Sequence, residues 1–208
     1  MKNLILIGAP GSGKGTQANL LKSLGLIHVS TGDILRDEVS SGSELGNLID
    51  NLISNGELVG DEIVEQLLKK NLDLDNHFYI FDGYPRNQTQ AAILKNILHG
   101  REYVIVYLNS DLDQIKSRII NRRLAPGSGE IYNLITKPPK TEGVCDVSGE
   151  ALVHRPDDKV DVVNHRFSLF LDNKDAILDY FGSDKVFEVN ADCNPEFVFD
   201  EIVKNCIK

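Results

Sequence analysis

Short apolar runs alternate with amphipathic stretches along most of this chain. Residues 4–7, 26–29, 78–81, 103–108 and 186–189 are the runs, each bounded by polar or turn-forming residues. Their length and their Val, Ile, Leu, Phe and Tyr content fit strands buried on both faces. Between them the apolar positions recur at helical spacing. Leu45, Leu48, Ile49, Leu52 and Ile53 fall at i, i+3, i+4, i+7 and i+8 between Ser43 and Gly56, which predicts a capped amphipathic helix. Asp61 can cap a helix carrying Ile63, Val64, Leu67 and Leu68. Ile93, Leu94, Ile97 and Leu98 make another stripe, and Leu112, Ile115 and Ile119 a further one that starts from Asp111. A helix over 16–24 is stopped by Gly25, and the last helix has Asn194 as cap with Pro195 in its first position. Strand and helix in alternation predict an α/β fold, with a central parallel five-stranded sheet flanked by helices.

Two stretches break the alternation. Residues 30–59 insert extra helix after the second strand, beginning with a capped start, Ser30-Thr31-Gly32-Asp33, and Arg36 one turn on. Residues 124–158 are rich in Gly, Pro and short polar residues and read as turns and small strands. The second is longer than an ordinary loop and points to a lid or small subdomain. Both follow the edge of the sheet at which open α/β folds bind ligands.

Composition narrows the chemistry. The 208 residues are 41% hydrophobic and 25% charged, ordinary values for a globular chain. Twenty-two basic against 31 acidic residues leave a net charge of −9, which argues against nucleic-acid or anionic-membrane partners. An anionic ligand therefore requires local concentrations of positive charge. Three scattered cysteines (Cys145, Cys193, Cys206) fit a reducing compartment better than a disulfide framework. Neither a leader peptide nor a membrane span is expected, since no apolar run approaches about 20 residues.

The first apolar run ends in Gly8-Ala9-Pro10-Gly11-Ser12-Gly13-Lys14-Gly15-Thr16. Strand, glycine-rich turn, lysine and helix start, in that order, form a phosphate-binding loop. Glycines let backbone N–H groups converge on an anion, the helix adds its positive end, and the lysine adds a mobile charge. One departure stands out: Gly15 occupies the place of the usual Ser or Thr, and Thr16 follows. At the third run, Asp82 is a carboxylate on a strand end, a position suited to organising Mg²⁺, and Gly83-Tyr84-Pro85 turns the chain to present Arg86. Arg118 and Arg122, at i, i+4, are expected on one helix face with Arg123 adjacent, a phosphate clamp in an acidic chain. Neither a Ser-His-Asp arrangement nor a metal-spaced His or Cys cluster is visible. With many arginines and no evident general base, phosphoryl transfer to a phosphate acceptor is favoured over transfer to an alcohol. A nonenzymatic nucleotide switch would not need the arginine set.

These residues, with Ser41-Gly42-Ser43-Glu44-Leu45-Gly46, Gln90, Arg118 to Arg123 and Arg155-Pro156-Asp157-Asp158, give the chain its resemblance to bacterial-type adenylate kinases of the long-lid form, over essentially its whole length. The Lys-Gly-Thr ending is this family's form of the loop. The resemblance implies reversible transfer of the ATP γ-phosphoryl group to AMP, giving two ADP, with Mg²⁺, by a cytoplasmic monomer. It implies a core of residues 1–29, 59–121 and 159–208, an AMP-binding insert over 30–58 and a lid over 122–158. By match to the family's motifs, Gly11, Ser12, Gly13, Lys14, Gly15 and Thr16 would cradle ATP phosphates. Thr31, Arg36, Glu57, Leu58, Val59, Gly83, Tyr84, Pro85, Arg86 and Gln90 would hold AMP, with Gln90 reading the base. Arg122, Ile131 and Tyr132 would meet ATP, Arg118 would stack near its adenine and the Asn194 carbonyl would face it. Lys14, Arg86, Arg122, Arg155 and Arg166 would be the catalytic cations, and Asp33 and Asp82 would hold Mg²⁺ through water. Many relatives carry a Cys₄-type zinc site in the lid. Here its positions are Ala125, Ser128, Cys145 and Ser148, so no zinc is expected and hydrogen bonds and packing must hold the lid.

Overall fold

The computed structural model describes residues 1–155 and 158–207. It has a five-stranded parallel sheet built from β1 (Asn3–Gly8), β2 (Ile27–Ser30), β3 (Tyr79–Asp82), β4 (Tyr103–Asn109) and β7 (Val186–Asn190), in the order β2-β3-β1-β4-β7. All five expected strands are present. Strand parity explains why they read as unbroken apolar runs. Ile5, Ile7, Phe81, Ile105 and Tyr107 project to one face and Leu4, Leu6, Ile80, Val106 and Leu108 to the other, and both faces are covered. On the first face lie α3 (Glu44–Ser54), α4 (Asp61–Lys70), α5 (Gln88–Ile97) and the end of α7 (Val160–Phe181), through Ile49, Leu68, Leu94 and Phe181. On the second lie α1 (Lys14–Leu21) and α8 (Pro195–Ile202), through Ala18, Leu21, Val198 and Ile202. Leu4, Ile5, Ile80 and Phe81 are wholly buried, each such side chain contributing about 2 kcal/mol.

The first insert is a pair of helices, α2 (Thr31–Ser40) and α3, each started by a serine. Ser30 Oγ accepts from Asp33 N at 3.2 Å, and Ser43 Oγ accepts from Gly46 N at 2.8 Å. Gly46 is required by packing, because a Cβ there would lie 2.4 Å from the Glu38 carbonyl oxygen at the end of α2. The second insert carries β5 (Arg122–Leu124) and β6 (Ile131–Asn133), paired antiparallel, with further bridges Leu124–Val153 and Val144–Ala151.

Three elements differ from the sequence pattern. α4 starts from Gly60 with no side-chain cap, so Asp61 is its first residue and not the cap that the pattern predicted. The 22-residue α7 gave no clear periodic signal. It serves two separate clusters, Val163 packing with Ala9, Ile115 and Ile119 while Ile177 and Phe181 join the main core, and its cap residue is Lys159, whose side chain makes no capping bond. The helix α6 (Leu112–Ile120) stops before Arg122, so Arg118 and Arg122 do not share a helix face as their spacing predicted.

Candidate functional site

The loop after β1 lies where the strand order reverses, with β3 on one side and β4 on the other, at the C-terminal edge of the sheet. Gly11 and Gly13 adopt φ of +83° and +97°, which bends the loop so that α1 begins with no side chain capping it. Its first N–H groups and its dipole thus face the ligand edge. Gly15 lies between the sheet edge and the lid: a Cβ at this position would sit 3.6 Å from Asp82 Oδ2 and 3.6 Å from Ile131 Cδ1, in ordinary contact with both.

Lys14 folds back over the loop and donates from Nζ to the carbonyl oxygens of Gly8 (2.8 Å) and Ala9 (2.9 Å). Burial lowers its pKa from 10.5 to about 8. Asp82 opposes the shift, while the positive charges of Arg86, Arg166 and Arg122 reinforce it. Cations from β3's turn, α7 and the base of the lid therefore act on one lysine, though they lie far apart in sequence. Arg166 reaches this region from α7, where its stem packs against the backbone at Gly56, 3.1 Å from a Cβ built there. Arg122 is held by Asp158, which receives Nε at 2.9 Å and Nη2 in a second bond; the Asp158 side chain is wholly buried.

Asp82 ends β3, and its Oδ2 lies 3.2 Å from His28 Nε2 on the adjacent β2. Asp33 accepts from Arg36 Nη2 at 2.5 Å. Burial tends to raise the Asp33 pKa, but Arg36, the Ser30 side chain and the charge of Arg155 together hold it below the usual carboxylate value. Thr31 Oγ1 donates to the Gly83 carbonyl at 2.9 Å, and Arg86 Nε donates to the same oxygen at 2.8 Å. Arg86 N in turn donates to Gln90 Oε1 at 2.8 Å. The turn between β3 and α5, with its cis Tyr84–Pro85 bond, is thereby tied to the start of α2. Val59 is buried, Leu58 half-buried and Glu57 exposed, the last with its N–H on Leu52 O at 3.0 Å.

A family model described as adenylate kinase matches residues 6–186. The chain is 40% identical to the adenylate kinase of Thermosipho melanesiensis, over 97% of each chain. It is 38% identical to that of Thermosipho africanus, also over 97% of each, and 40% identical to that of Petrotoga mobilis, over 96% of this chain and 94% of the other. The chain belongs to the adenylate kinase family. It is a nucleoside monophosphate kinase, and its reaction moves the γ-phosphoryl group of ATP reversibly onto AMP. Adenylate kinases use ATP together with a divalent metal.

Some residues that the adenylate kinase pattern assigns to ATP have other partners in this structure. Arg118 donates from Nη2 to the Ala191 carbonyl at 2.8 Å and lies 3.8 Å from Asp192, beside the β7–α8 connection. Asn194 caps α8, its Oδ1 accepting from Phe197 N at 2.7 Å and its carbonyl from Val198 N at 3.2 Å. Gln17 Nε2 donates to Pro195 O at 2.9 Å and so fixes α1 to the start of α8, a link that no local pattern signalled. Tyr132 is buried in the lid core with Ala125, Cys145 and Leu152, which leaves Ile131 as the lid residue over Gly15. Pro156 and Asp157 lie outside the described residues. Among the described residues no group of three or more His, Cys, Asp or Glu side chains is arranged around a metal position.

The lid positions Ser128, Cys145 and Ser148 gather into a hydrogen-bonded knot, with Ala125 packed in the apolar cluster beside Cys145. Cys145 Sγ receives Ser148 N–H at 3.5 Å and lies 3.5 Å from the Tyr132 hydroxyl and 3.7 Å from Ser128 Oγ. Tyr132 Oη accepts from Asp146 N at 2.8 Å and keeps its own proton available to the sulfur when the thiol is ionised. Burial opposes ionisation, but hydrogen bonds from Ser148, Tyr132 and Val147 outweigh it and bring the thiol down to about 6. Glu150 completes the knot, accepting from Gly127 N (2.6 Å), Ser128 N (2.8 Å) and Ser148 Oγ (2.6 Å), which takes its pKa to about 2. Both groups are acids with depressed pKa values. The contribution of Glu150 to lid order is complete above 4.5 and lost as pH falls towards 2. That of Cys145 is complete only above 9.0, is partial at neutral pH and is lost as pH falls through about 6. The thiolate absorbance at 240 nm is expected to titrate with a midpoint near 6 and to vanish in Cys145→Ser. Amide exchange at Gly127 and Ser128 is expected to stay slow until the pH drops below the ordinary carboxylate value of 4.5 towards 2.

Proposed function

We propose that the transfer is carried by Lys14, Arg86, Arg122, Arg155 and Arg166 acting together on the phosphates of ATP and AMP. One observation supports this above the others: Arg86, Arg122, Arg166 and Asp82, from three separate parts of the chain, all act electrostatically on Lys14. The loop 11–16 would cradle the ATP phosphates on the N–H groups of α1, and Lys14 would leave the Gly8 and Ala9 carbonyls to follow the transferred group. Thr31, Arg36, the backbone of 57–59, the turn 83–86 and Gln90 would hold AMP, its phosphate facing Arg86. The attacking phosphate oxygen is already ionised, so the chain needs no general base, only alignment and neutralisation of charge. Asp82, whose Oδ2 lies 3.6 Å from a Cβ built on Gly15 of the phosphate loop, and Asp33 would hold Mg²⁺ through water. When bound, the ion supplies charge neutralisation across the ATP phosphates.

The insert 30–58 and the lid 122–158 would close on the core, 1–29, 59–121 and 159–208, and exclude water so that ATP is not hydrolysed. The lid would need no zinc, because the Cys145–Glu150 knot supplies its internal ties. No described helix is long and apolar enough to cross a membrane, and with a net charge of −9 the protein would act in the cytoplasm as a monomer, on free nucleotides rather than nucleic acid or membranes. A coupled assay for ADP, started with ATP–Mg²⁺ and AMP, UMP, CMP or GMP in turn, tests the substrate assignment. AMP is expected to exceed each of the others in kcat/KM by at least about tenfold; equal rates with UMP, CMP or GMP would refute selectivity for AMP.

A further inference from the structure

Asp61 carries no role in any of the motifs described above. It is the first residue of α4, and its Oδ1 accepts from Gln90 Nε2 at 2.8 Å and from Asn87 Nδ2 at 3.0 Å, both across from the start of α5. The opposite end of the Gln90 amide is fixed as firmly, with Oε1 accepting from Arg86 N at 2.8 Å. Gln90 is only 2% exposed, so solvent cannot replace either partner. The two partners also decide which end of the amide is which. A backbone N–H only donates, and a carboxylate only accepts, so oxygen must face Arg86 and nitrogen must face Asp61. Asn87 is oriented by the same logic, its Oδ1 accepting from Gln90 N at 2.7 Å while its Nδ2 meets Asp61.

We propose that Asp61 is a positioning residue for base selection: it locks the Gln90 amide in the orientation that pairs with adenine and mismatches guanine. The inference rests on Gln90 being the residue that reads the base of the monophosphate. Once Arg86 and Asp61 are satisfied, Gln90 retains one lone pair on Oε1 and one proton on Nε2. Adenine offers an amino donor beside an acceptor nitrogen, which matches that remaining pair. Guanine offers a carbonyl acceptor beside an N–H donor, and uracil has the same order as guanine. Either would need the amide turned over, which sets nitrogen against the Arg86 N–H and oxygen against the Asp61 carboxylate, two repulsive contacts in a buried place. Cytosine presents adenine's order, so the lock does not exclude it. Rejection of CMP must come from the smaller ring.

Asp61→Asn keeps the volume but supplies an amide that can turn either to accept or to donate, which relaxes the Asp61 half of the lock and leaves the Arg86 N–H in place. The full-length variant is assayed with ATP–Mg²⁺ and AMP or GMP, beside Gln90→Ala and the double variant. The ratio of kcat/KM for AMP over GMP is expected to fall at least tenfold in Asp61→Asn. Most of the change should lie in KM for the monophosphate, with KM for ATP unchanged, and the double variant should be no less selective than Gln90→Ala alone. A structural defect at α4 would lower both monophosphates together and leave the ratio where it was. If Gln90→Ala collapses the ratio while Asp61→Asn keeps it within twofold, the positioning role is wrong although the base reading survives. If neither variant moves the ratio, Gln90 does not read the base and the proposal fails with it. Should Asp61→Asn not fold, NMR of the wild-type protein decides: a hydrogen-bond scalar coupling between Gln90 Nε2 and the Asp61 carboxyl carbon is expected, and its absence overturns the lock.

Discussion

Lys14→Ala is expected to reduce kcat/KM for ADP formation by at least about 10³-fold, the largest loss of any single substitution here. Charges from the sheet edge, the turn after β3, α7 and the lid base all act on this lysine. It is also the only cation placed on the loop itself, with its ammonium on the Gly8 and Ala9 carbonyls. The loss should come without loss of fold. A lysine whose folded-state pKa is about 8, against 10.5 when unfolded, makes the folded state less stable wherever it is charged, so stability should rise with pH between those two values. In Lys14→Ala that rise should disappear, and the melting temperature near pH 7 should be no lower than that of the parent. ATP phosphates favour the charged form, so at pH 8–9 binding of a nonhydrolysable ATP analogue should take up a proton. Calorimetry in buffers of different ionisation enthalpy measures this uptake in the parent and its absence in the variant.

Arg122→Lys is expected to cost about 10²-fold in kcat/KM, although it preserves charge. Asp158 grips the Nε and Nη2 edge of the guanidinium, which leaves the other edge for phosphate. An ammonium has no second edge and must choose between the carboxylate and the nucleotide. Arg122→Ala goes further, leaving the wholly buried Asp158 carboxylate without the partner that holds both its oxygens, at a cost of about 3 kcal/mol or more in stability. Replacing both, as Arg122→Met with Asp158→Leu, should recover the stability but none of the activity. Thermal melts and steady-state kinetics on the three variants separate the two effects. Wild-type kcat/KM in Arg122→Lys would remove Arg122 from the clamp.

What the sequence revealed follows from where each signal was stored. Strands buried on both faces are written in consecutive apolar residues, and the phosphate loop in a local spacing of glycines and a lysine, so both were legible from short windows. The capped starts at Ser30, Ser43 and Asn194 were legible for the same reason, since an N-cap bond spans three residues or fewer. Partnerships across the fold left no such trace. His28 with Asp82, Gln90 with Asp61, and Arg122 with Asp158 depend on strand order and helix packing that no window contains. Asp158 stood in a quoted motif without an assigned partner, and Asp61 was read only as a helix cap. Arg155 and Arg166 drew their roles from family resemblance alone; in the structure Arg155 acts on Asp33, and Arg166 on Lys14. The helical pairing of Arg118 with Arg122 failed because α6 ends at Ile120, and that end was invisible without a glycine or proline to mark it.

Convergence of cations on a pair of facing polyphosphates is tested most directly by a crystal structure with two adenosines joined through five phosphates, which occupies both nucleotide sites at once. Lys14, Arg86, Arg122, Arg155 and Arg166 should each lie within hydrogen-bond distance of the phosphate chain, with Asp82 beside its metal. Finding the chain held by the loop and Lys14 while Arg86 and Arg122 point to solvent would overturn the clamp.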